Sequence, residues 1–375
     1  MIQESVESNK KPMLLLAIAG GVLFLAMAVL FLRNKTNFGA DLKIASNKKS
    51  NYLISIVSNK DEFLLSLYAE VYFQEKKAAF FFINPLISFE DETSLEDVGK
   101  KAPSEVYSSL EDILDHSIQN KIVIREKDFV QIIDLLGGME LFFEPKTSKY
   151  SSKYFRKKRI YNLDGEDCYD VISALEDRKL LTYIHRLEVQ ESIMLTLFET
   201  IHQKKDLVTK QKVSLLHERI ENNMSLKDWE TFFDFFKKDR IHFGVSELPG
   251  EPIARVKKKD EILKTNPETI KVAFSKFASD VRSSYFSDGE RARIEILNGT
   301  GKSGLARYGK ALLNDKGLKV LTVDNAWDAN FEKSIILNRS GNTQYTDAIS
   351  ETFQGRKVYF SLRKDLGLDS TIILG

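Results

Sequence analysis

The feature that most constrains the fold is an uninterrupted apolar run near the amino terminus. Residues 13–32, MLLLAIAGGVLFLAMAVLFL, contain no charged side chain. Twenty such residues in a helix cross the roughly 30 Å hydrocarbon core of a membrane. The sequence at 26–28, Ala-Met-Ala, is typical of a signal-peptidase site, but the apolar run continues beyond it. The sequence therefore predicts an uncleaved transmembrane anchor behind a short tail, residues 1–12.

The charges beside this run do not decide its orientation. Two lysines precede it, and Arg33 and Lys35 follow it. Long domains translocate largely regardless of such charges. We expect a single-pass protein of the cytoplasmic membrane, with the bulk of the chain extracytoplasmic, in the periplasm or at the cell surface. A membrane adaptor that faces the cytoplasm is the alternative.

Composition excludes several classes of protein. The chain has 375 residues, more than one core usually organises, and 43% of them are hydrophobic, as in globular proteins. A formal net charge of +1 provides no general attraction to nucleic acid. The single cysteine, Cys168, excludes an intramolecular disulfide and is expected to be a small buried residue. Two histidines, His185 and His202, lack the spacing of metal ligands.

Beyond the anchor, strand patterns alternate with helical ones. Residues 51–57, 65–73 and 78–83 predict strands, the last buried on both faces of a sheet because it is continuously apolar. Residues 104–118 have helical spacing, and 165–238 are mostly helical. The fold class is therefore α/β, with a mixed central sheet in a domain spanning 50–248.

Two further regions complete the chain. Residues 249–289 are predicted to form a charged helical connector, with a helix entered through Pro267 and a charge run, RVKKKDEILK, on a solvated face. Residues 290–375 alternate strands and helices and predict a small α/β sandwich. The predicted strands there are 292–298, 318–324, 333–339, 357–362 and 370–374, and the predicted helices are 303–316 and 343–353.

The sequence RIEILNGTGKSGLA at 293–306 is similar to a phosphate-binding loop but lacks its spacing. The loop requires a glycine five residues before Gly301, and this chain has Ile296 there. We therefore predict no nucleotide ligand. Gly299 is expected to hold a positive φ in a tight turn, and Ser303 to cap the following helix.

These features resemble the LytR-CpsA-Psr proteins of bacterial cell envelopes. RIEILNGTGKSGLA, SIILNRSG and DSTIILG look like that family's LytR C-terminal domain, over 290–375. Three stretches of 50–248 resemble its central αβα domain: residues 124–145, 161–175 and 185–201. The resemblance implies binding of a polyprenyl pyrophosphate-linked glycopolymer, with the lipid tail in an apolar channel, and transfer of the polymer to peptidoglycan. Such chemistry needs arginines for phosphate oxygens and aspartates for Mg²⁺.

Most of those groups are absent from the matching positions. Pro85 and Leu86 replace an Arg-Asp pair, and Ser173 and Val189 replace two arginines. The remaining candidates for phosphate binding are Arg186, Gln190, Asp61 and Glu62. No catalytic residue and no metal site is assigned, and no cofactor is expected unless Mg²⁺ serves a transferase. A surface salt bridge with Glu188 or Glu191 is the alternative role for Arg186.

A basic and aromatic patch is the second candidate site. It comprises Lys149, Lys153, Tyr154, Arg156, Lys157, Lys158 and Arg159. Aromatic faces and clustered cations suit anionic glycans or phospholipid headgroups, although an exposed hairpin with solubilising lysines has the same composition. We expect a degenerate, non-catalytic family member that binds glycan, peptidoglycan, polyprenyl phosphate or an envelope partner, and no nucleic acid. The alternative is an active glycopolymer–peptidoglycan phosphotransferase.

Overall fold

The computed structural model describes residues 49–88, 92–101, 103–144, 159–173, 180–255, 260–282 and 292–375. The predicted anchor at 13–32 lies outside these residues, as does most of the basic patch. Among the described residues, no helix has both the length and the apolar character needed to cross a membrane. Residues 49–375 form one compact unit.

The first domain is built on a six-stranded mixed sheet. The strands described in this domain are β1 (Lys49–Val57), β2 (Phe63–Tyr72), β3 (Lys77–Ile83), β4 (Ile87–Ser88), β5 (Asn120–Arg125), β6 (Met139–Phe142), β7 (Ile160–Leu163), β8 (Glu221–Asn222), β9 (His242–Glu247), β10 (Glu251–Arg255) and β11 (Asp260–Lys264). The central sheet has the order β8-β5-β1-β2-β3-β9. The β1–β5 and β3–β9 pairs are parallel and the others antiparallel, so the mixed sheet is confirmed.

Helices cover both faces of this sheet. They are α1 (Leu95–Lys101), α2 (Pro103–Leu114), α3 (Glu126–Leu135), α4 (Gly165–Ser173), α5 (Leu180–Gln203), α6 (Lys210–Arg219), α7 (Leu226–Lys238) and α8 (Pro267–Arg282). The helices α3 to α7 pack on one face, and α2 and α8 pack on the other. Every residue of β2 is therefore buried. Burial on both faces explains the continuous apolar runs of β2 and β3.

The predicted charged connector differs from what the structure contains. The described residues of its charge run, Arg255 and 260–264, lie in the antiparallel strands β10 and β11, and β11 pairs with β4 in a three-stranded sheet. Arg255 is only 3% exposed, and its guanidinium forms ion pairs with Asp97 and Asp260. The helix α8 buries Ile270 and Phe277 against the central sheet. The expectation of a solvated face fails at Arg255, because Asp97 and Asp260 neutralise this buried arginine, whereas Glu261 and Lys264 of the same run are exposed as expected.

The carboxyl-terminal domain contains each strand and helix that the sequence predicts. They are β12 (Ile294–Asn298), α9 (Leu305–Asn314), β13 (Val320–Asn325), β14 (Ile335–Asn338), α10 (Gln344–Thr352), β15 (Val358–Phe360) and β16 (Ser370–Leu374). The sheet order is β13-β12-β16-β14-β15. These elements could be predicted from the sequence because apolar runs alternate there with turns.

Two details of the turn after β12 differ from expectation. The residue before α9 is Gly304, with φ 84°, so the predicted cap at Ser303 was wrong. Gly299 does not have a positive φ. Glycine is required there for a different reason, because a Cβ would lie 2.7 Å from Phe331 Cδ2 and 2.8 Å from the Leu374 carbonyl oxygen.

The two domains are joined by buried contacts. Phe360 and Leu362 of the carboxyl-terminal domain enter the core of the first domain. The backbone of Phe243 in β9 exchanges two hydrogen bonds with Thr343, at 2.8 and 3.0 Å. Glu144 accepts a hydrogen bond from Arg363 at 3.0 Å and pairs with Arg339, which is 2% exposed. These contacts hold the domains as one body.

Candidate functional site

The predicted phosphate-binding residues lie near the carboxyl ends of β1 and β5. These strands are parallel neighbours, so the segments that follow them meet at one edge of the sheet. Asp61 lies in the turn after β1, in a left-handed conformation (φ 59°) that aspartate tolerates. Its carboxylate accepts a hydrogen bond from Arg125 Nη1 at 2.7 Å, and Arg125 ends β5. This edge of the sheet therefore brings Asp61, in the turn after β1, into contact with Arg125, at the end of β5.

Arg186 is buried on α5 beside the same edge. It is 7% exposed, which contradicts a surface salt bridge. Its charge reaches the hydroxyl of Tyr169 on α4. Burial raises the pKa of Tyr169, and a hydrogen bond to Glu126 raises it further. Glu62 acts in the same direction, whereas Arg186 lowers this pKa. Glu62 and Arg186, selected from the sequence, thus share one electrostatic environment.

Gln190, the fourth candidate, has a structural contact. Its side-chain Nε2 donates a hydrogen bond to the carbonyl oxygen of Ile172 at 2.8 Å. Ser173, at the end of α4, donates from Oγ to the carbonyl oxygen of Tyr169 at 2.7 Å. Both contacts fix α4 and the neighbouring part of α5. The amide of Gln190 positions the helix that carries Arg186.

Among the described residues, two carboxylates and one cation act on Tyr169: Glu62 and Glu126, against Arg186. The neighbouring Arg125 is paired with Asp61. Arg125 also lies 3.6 Å from an oxygen of Glu221. Of the positions at which the family resemblance implies a charged residue, Leu86 is buried and Val189 packs against the core. The described residues of this cluster therefore provide no excess of positive charge for a pyrophosphate.

The acids at this edge do not form a metal site. Within the described part of the chain, no three His, Cys, Asp or Glu side chains converge as ligands of one ion. Asp61 is bonded to Arg125, and Glu126 to Tyr169. The residues present therefore do not fit the Mg²⁺ that the family resemblance implies, and we derive no step through that ion.

The apolar layer between the central sheet and its helices is filled. Two adjoining cavities there, which share Ile132, Ile201 and Phe233, measure about 40 and 20 Å³. By comparison, an apolar cavity of about 150 Å³ binds benzene. Phe198 stacks against both Phe80 and Phe236, with ring centroids 5.0 and 4.5 Å apart. Aromatic side chains thus occupy much of this layer.

The carboxyl-terminal domain matches a known family. Residues 291–375 match the LytR_C family model, described as LytR cell envelope-related transcriptional attenuator. No curated protein matches the chain by sequence. This domain is called the LytR_C domain below.

Several solved structures are similar to this chain, and TagT shares its fold. "TagT bound to LIIa-WTA" is 15% identical with a TM-score of 0.50, over 63% of this chain and 91% of that one. TagV of B. subtilis is 13% identical with a TM-score of 0.49, over 62% and 97%. "LytR-CPS2A-psr family protein YwtF (TagT) with bound octaprenyl pyrophosphate lipid" is 13% identical with a TM-score of 0.47, over 63% and 91%. At such identities the likeness to TagT shows the fold alone.

The LytR_C domain contributes a lysine to the helix that carries Arg186. The backbone N–H of Lys364 donates to Glu188 at 2.7 Å. The Lys364 ammonium donates to Glu191 at 2.8 Å and to Glu247 at 2.7 Å. Burial raises the pKa of Glu191 to about 8, although Lys364 opposes that shift. The acids proposed as partners of Arg186 are therefore bonded to the LytR_C domain.

Arg159 is the one residue of the basic patch that lies within the described residues. Its guanidinium is 4.4 Å from the centre of the Phe331 ring and 5.7 Å from that of Trp327. It also pairs with Asp328. Trp327 is 42% exposed. Arg159 thus joins the end of the basic segment to an exposed aromatic surface of the LytR_C domain. The other patch residues are outside the described part: Lys149, Lys153, Tyr154, Arg156, Lys157 and Lys158.

Sequence reasoning missed three residues of the edge cluster. Arg125 is the last residue of β5 and Glu126 the first of α3. This position at the carboxyl end of a parallel strand was a usable signal, because loops after parallel strands carry sites. Tyr169 gave no signal, since it lies inside a helical pattern. Cys168 beside it is buried as predicted, and burial raises the pKa of its thiol, so it is not a nucleophile.

Proposed function

We propose that the protein is a membrane-anchored, extracytoplasmic protein of the bacterial cell envelope that binds anionic glycan without transferring it. The LytR_C match and the shared fold with TagT support an envelope role. The apolar run at 13–32 supports the anchor. Wall glycan, peptidoglycan and polyprenyl phosphate are the ligand classes that the family resemblance implies.

The charges around Arg186 are the main support for the proposed absence of transferase activity. A pyrophosphate has two or more negative charges, and removing it from water is costly unless cations replace its hydration. Arg186 instead shares its environment with Glu62 and Glu126. The other nearby cation, Arg125, is bonded to Asp61. A substrate pyrophosphate here would meet like charge, and the transition state would lack compensation.

The filled apolar layer supports the same conclusion. A polyprenyl tail needs an apolar channel, and the two cavities beside Ile132 are each smaller than a benzene site. A lipid tail could enter only by displacing Phe198 and its neighbours, which are fully packed. Binding through the headgroup or the glycan at the surface agrees better with this packing.

The surface formed by Arg159, Trp327 and Phe331 is the proposed contact for glycan. An exposed indole offers an apolar face to a sugar ring, and a guanidinium attracts phosphate or carboxylate. The basic segment that ends at Arg159 extends this character in the sequence.

Sedimentation with purified cell-wall polymer tests the proposed contact. We expect the full-length protein in detergent to co-sediment, and Trp327→Ala to weaken its retention about tenfold, a loss of roughly 1.4 kcal/mol. Leu321→Ala removes a similarly exposed apolar side chain of the same domain and serves as the control. Equal retention of Trp327→Ala and the wild type would refute this contact.

One observation favours the alternative, an active phosphotransferase that uses polyprenyl pyrophosphate-linked substrates. Arg186 is buried beside Tyr169 and acids, as perturbed catalytic groups often are. In that case Arg186 and Arg125 would hold the phosphates. Turnover assays separate the two functions.

A further inference from the structure

A polar groove lies at the boundary between the first domain and the LytR_C domain. It is walled by the end of α5, by Arg240, by α10 and by the turn that leads into β15, and it measures about 210 Å³. A narrower space of about 50 Å³ continues along α5 and shares Glu199, Gln203 and Lys357 with it. Since a 150 Å³ cavity holds benzene, the groove has room for one sugar ring.

The walls of the groove are held in place by contacts with the rest of the fold. Arg240 pairs with Asp347 of α10 at 2.5 Å. Lys357 pairs with Glu140 of β6 across the domain boundary. The paired hydrogen bonds between Phe243 and Thr343 fix the same boundary. A ligand would therefore meet a preorganised site and would not have to order it.

The lining is rich in cations. Four line the two connected spaces, against two carboxylates: Lys204, Arg240, Arg356 and Lys357, against Glu140 and Glu199. Arg356 is exposed, and its side chain forms no ion pair or hydrogen bond with any residue that the structure describes. It follows Gly355, whose φ of 72° turns the chain at the mouth of the groove. A guanidinium in this position can grip an anion with two parallel hydrogen bonds.

The opposite wall, on α5, offers hydrogen-bond acceptors. His202 Nδ1 lies 3.3 Å from the carbonyl oxygen of Lys237. Because a carbonyl only accepts, Nδ1 donates in this contact, and in the matching tautomer Nε2 can accept a hydrogen bond. The Glu199 carboxylate and the Gln203 amide oxygen also accept. One wall thus suits an anion and the other suits hydroxyl groups.

We propose that this interdomain groove binds a single sugar unit that carries a phosphate or carboxylate, with the anion at Arg356 and Lys357 and the hydroxyls at Glu199 and His202. The inference deepens the proposed glycan-binding function and rests on it. It adds a second contact, distinct from the Trp327 surface, and assigns it to one charged sugar of the polymer. Neutral sugars lack the group that Arg356 recognises.

Titration calorimetry on the full-length protein in detergent tests the groove. The probes are N-acetylglucosamine 1-phosphate, glucuronic acid, N-acetylglucosamine and inorganic phosphate. We expect both anionic sugars to bind at least tenfold more tightly than the neutral sugar and than phosphate alone. Arg356→Gln should lose about tenfold in affinity for the anionic sugars, the size of one charge-assisted contact. Arg307→Gln, an exposed arginine on α9 away from the groove, is the matched control and should titrate like the wild type.

Two results would overturn the inference. If Arg356→Gln titrates like the wild type, the groove is not the site. If phosphate alone binds as tightly as the sugar phosphate, the α5 wall makes no favourable contact with the sugar. Either result leaves the proposed function to be judged separately, by retention through Trp327 and by turnover.

Discussion

At the scale of single residues, Glu191 and Lys364 govern the electrostatics of the domain boundary. Glu191 is fully buried, and Lys364 faces both it and Glu247. One ammonium between carboxylates cannot neutralise them all, so a proton is retained on the buried acid. This explains the pKa of about 8 for Glu191, with burial as its main cause.

That pKa predicts a pH-dependent stability. A carboxyl whose folded pKa is raised stabilises the fold below its unfolded pKa, and this contribution is lost as pH rises toward 8. Between pH 5 and 8, Glu191 should lower the free energy of unfolding by up to about 1.4 kcal/mol per pH unit. Urea unfolding of Glu191→Gln should show a shallower fall over this range. Glu332→Gln, at an exposed position, controls for charge, and equal slopes in wild type and Glu191→Gln would contradict the assignment.

Gly299 provides the second prediction at this scale. A Cβ at this position meets Phe331, Ile373 and the Leu374 carbonyl oxygen within 3 Å. We expect Gly299→Ala to destabilise the protein by about 1–3 kcal/mol through overpacking. Gly301→Ala is the matched control, since a Cβ there meets no atom within 4 Å. Chemical denaturation compares the two, and a neutral Gly299→Ala would show that the neighbours give way.

At the scale of elements, the apolar pattern predicted most strands and helices. The hairpin β10–β11 was not predicted, because the residue that β10 buries, Arg255, is charged. Its partner Asp97 is 158 residues away in the chain. The site residues Asp61, Glu62 and Arg186 could likewise be selected from the sequence by residue type. Their acidic surroundings could not be predicted, because they depend on the pairing of β1 with β5 and on the packing of α4 on α5.

The phenylalanine stack between α5, α7 and β3 is the element-scale feature most open to test. Phe198 is 4% exposed and stacks against two rings, those of Phe80 and Phe236. We expect Phe198→Ala to lower the free energy of unfolding by about 3–5 kcal/mol. Leu215→Ala, on the exposed face of α6, should change it by less than about 0.5 kcal/mol. If Phe198→Ala costs no more than Leu215→Ala, the layer is not packed as described.

At the scale of the whole molecule, the two domains behave as one body. The sequence predicted two domains but could not predict their contact, since Arg339, Glu144 and Arg363 meet only after both have folded. The same junction carries Lys364 to α5 and forms the groove at Arg356. Interdomain packing therefore builds much of what is available for binding.

The chain's two tryptophans allow this junction to be tested. Trp229 lies in the first domain and Trp327 in the LytR_C domain. We expect Trp229→Phe and Trp327→Phe variants to give coincident fluorescence transitions in urea. Adding Glu144→Ala, which leaves Arg339 buried without its carboxylate, should cost about 3–5 kcal/mol. Separate transitions in the two parent variants would show that the domains unfold independently.

The acidic cluster around Arg186 is not expected to support turnover. A lipid-pyrophosphate hydrolysis assay on the full-length protein with Mg²⁺ or Mn²⁺, beside Arg186→Ala, tests this expectation. Losing one electrostatic contact in a transition state costs about 10²–10³ in rate. The family resemblance implies that Pro85, Leu86, Ser173 and Val189 stand where several such contacts would be. We predict background turnover for both proteins. Robust metal-dependent turnover by the wild type, abolished in Arg186→Ala, would contradict the account and establish the transferase.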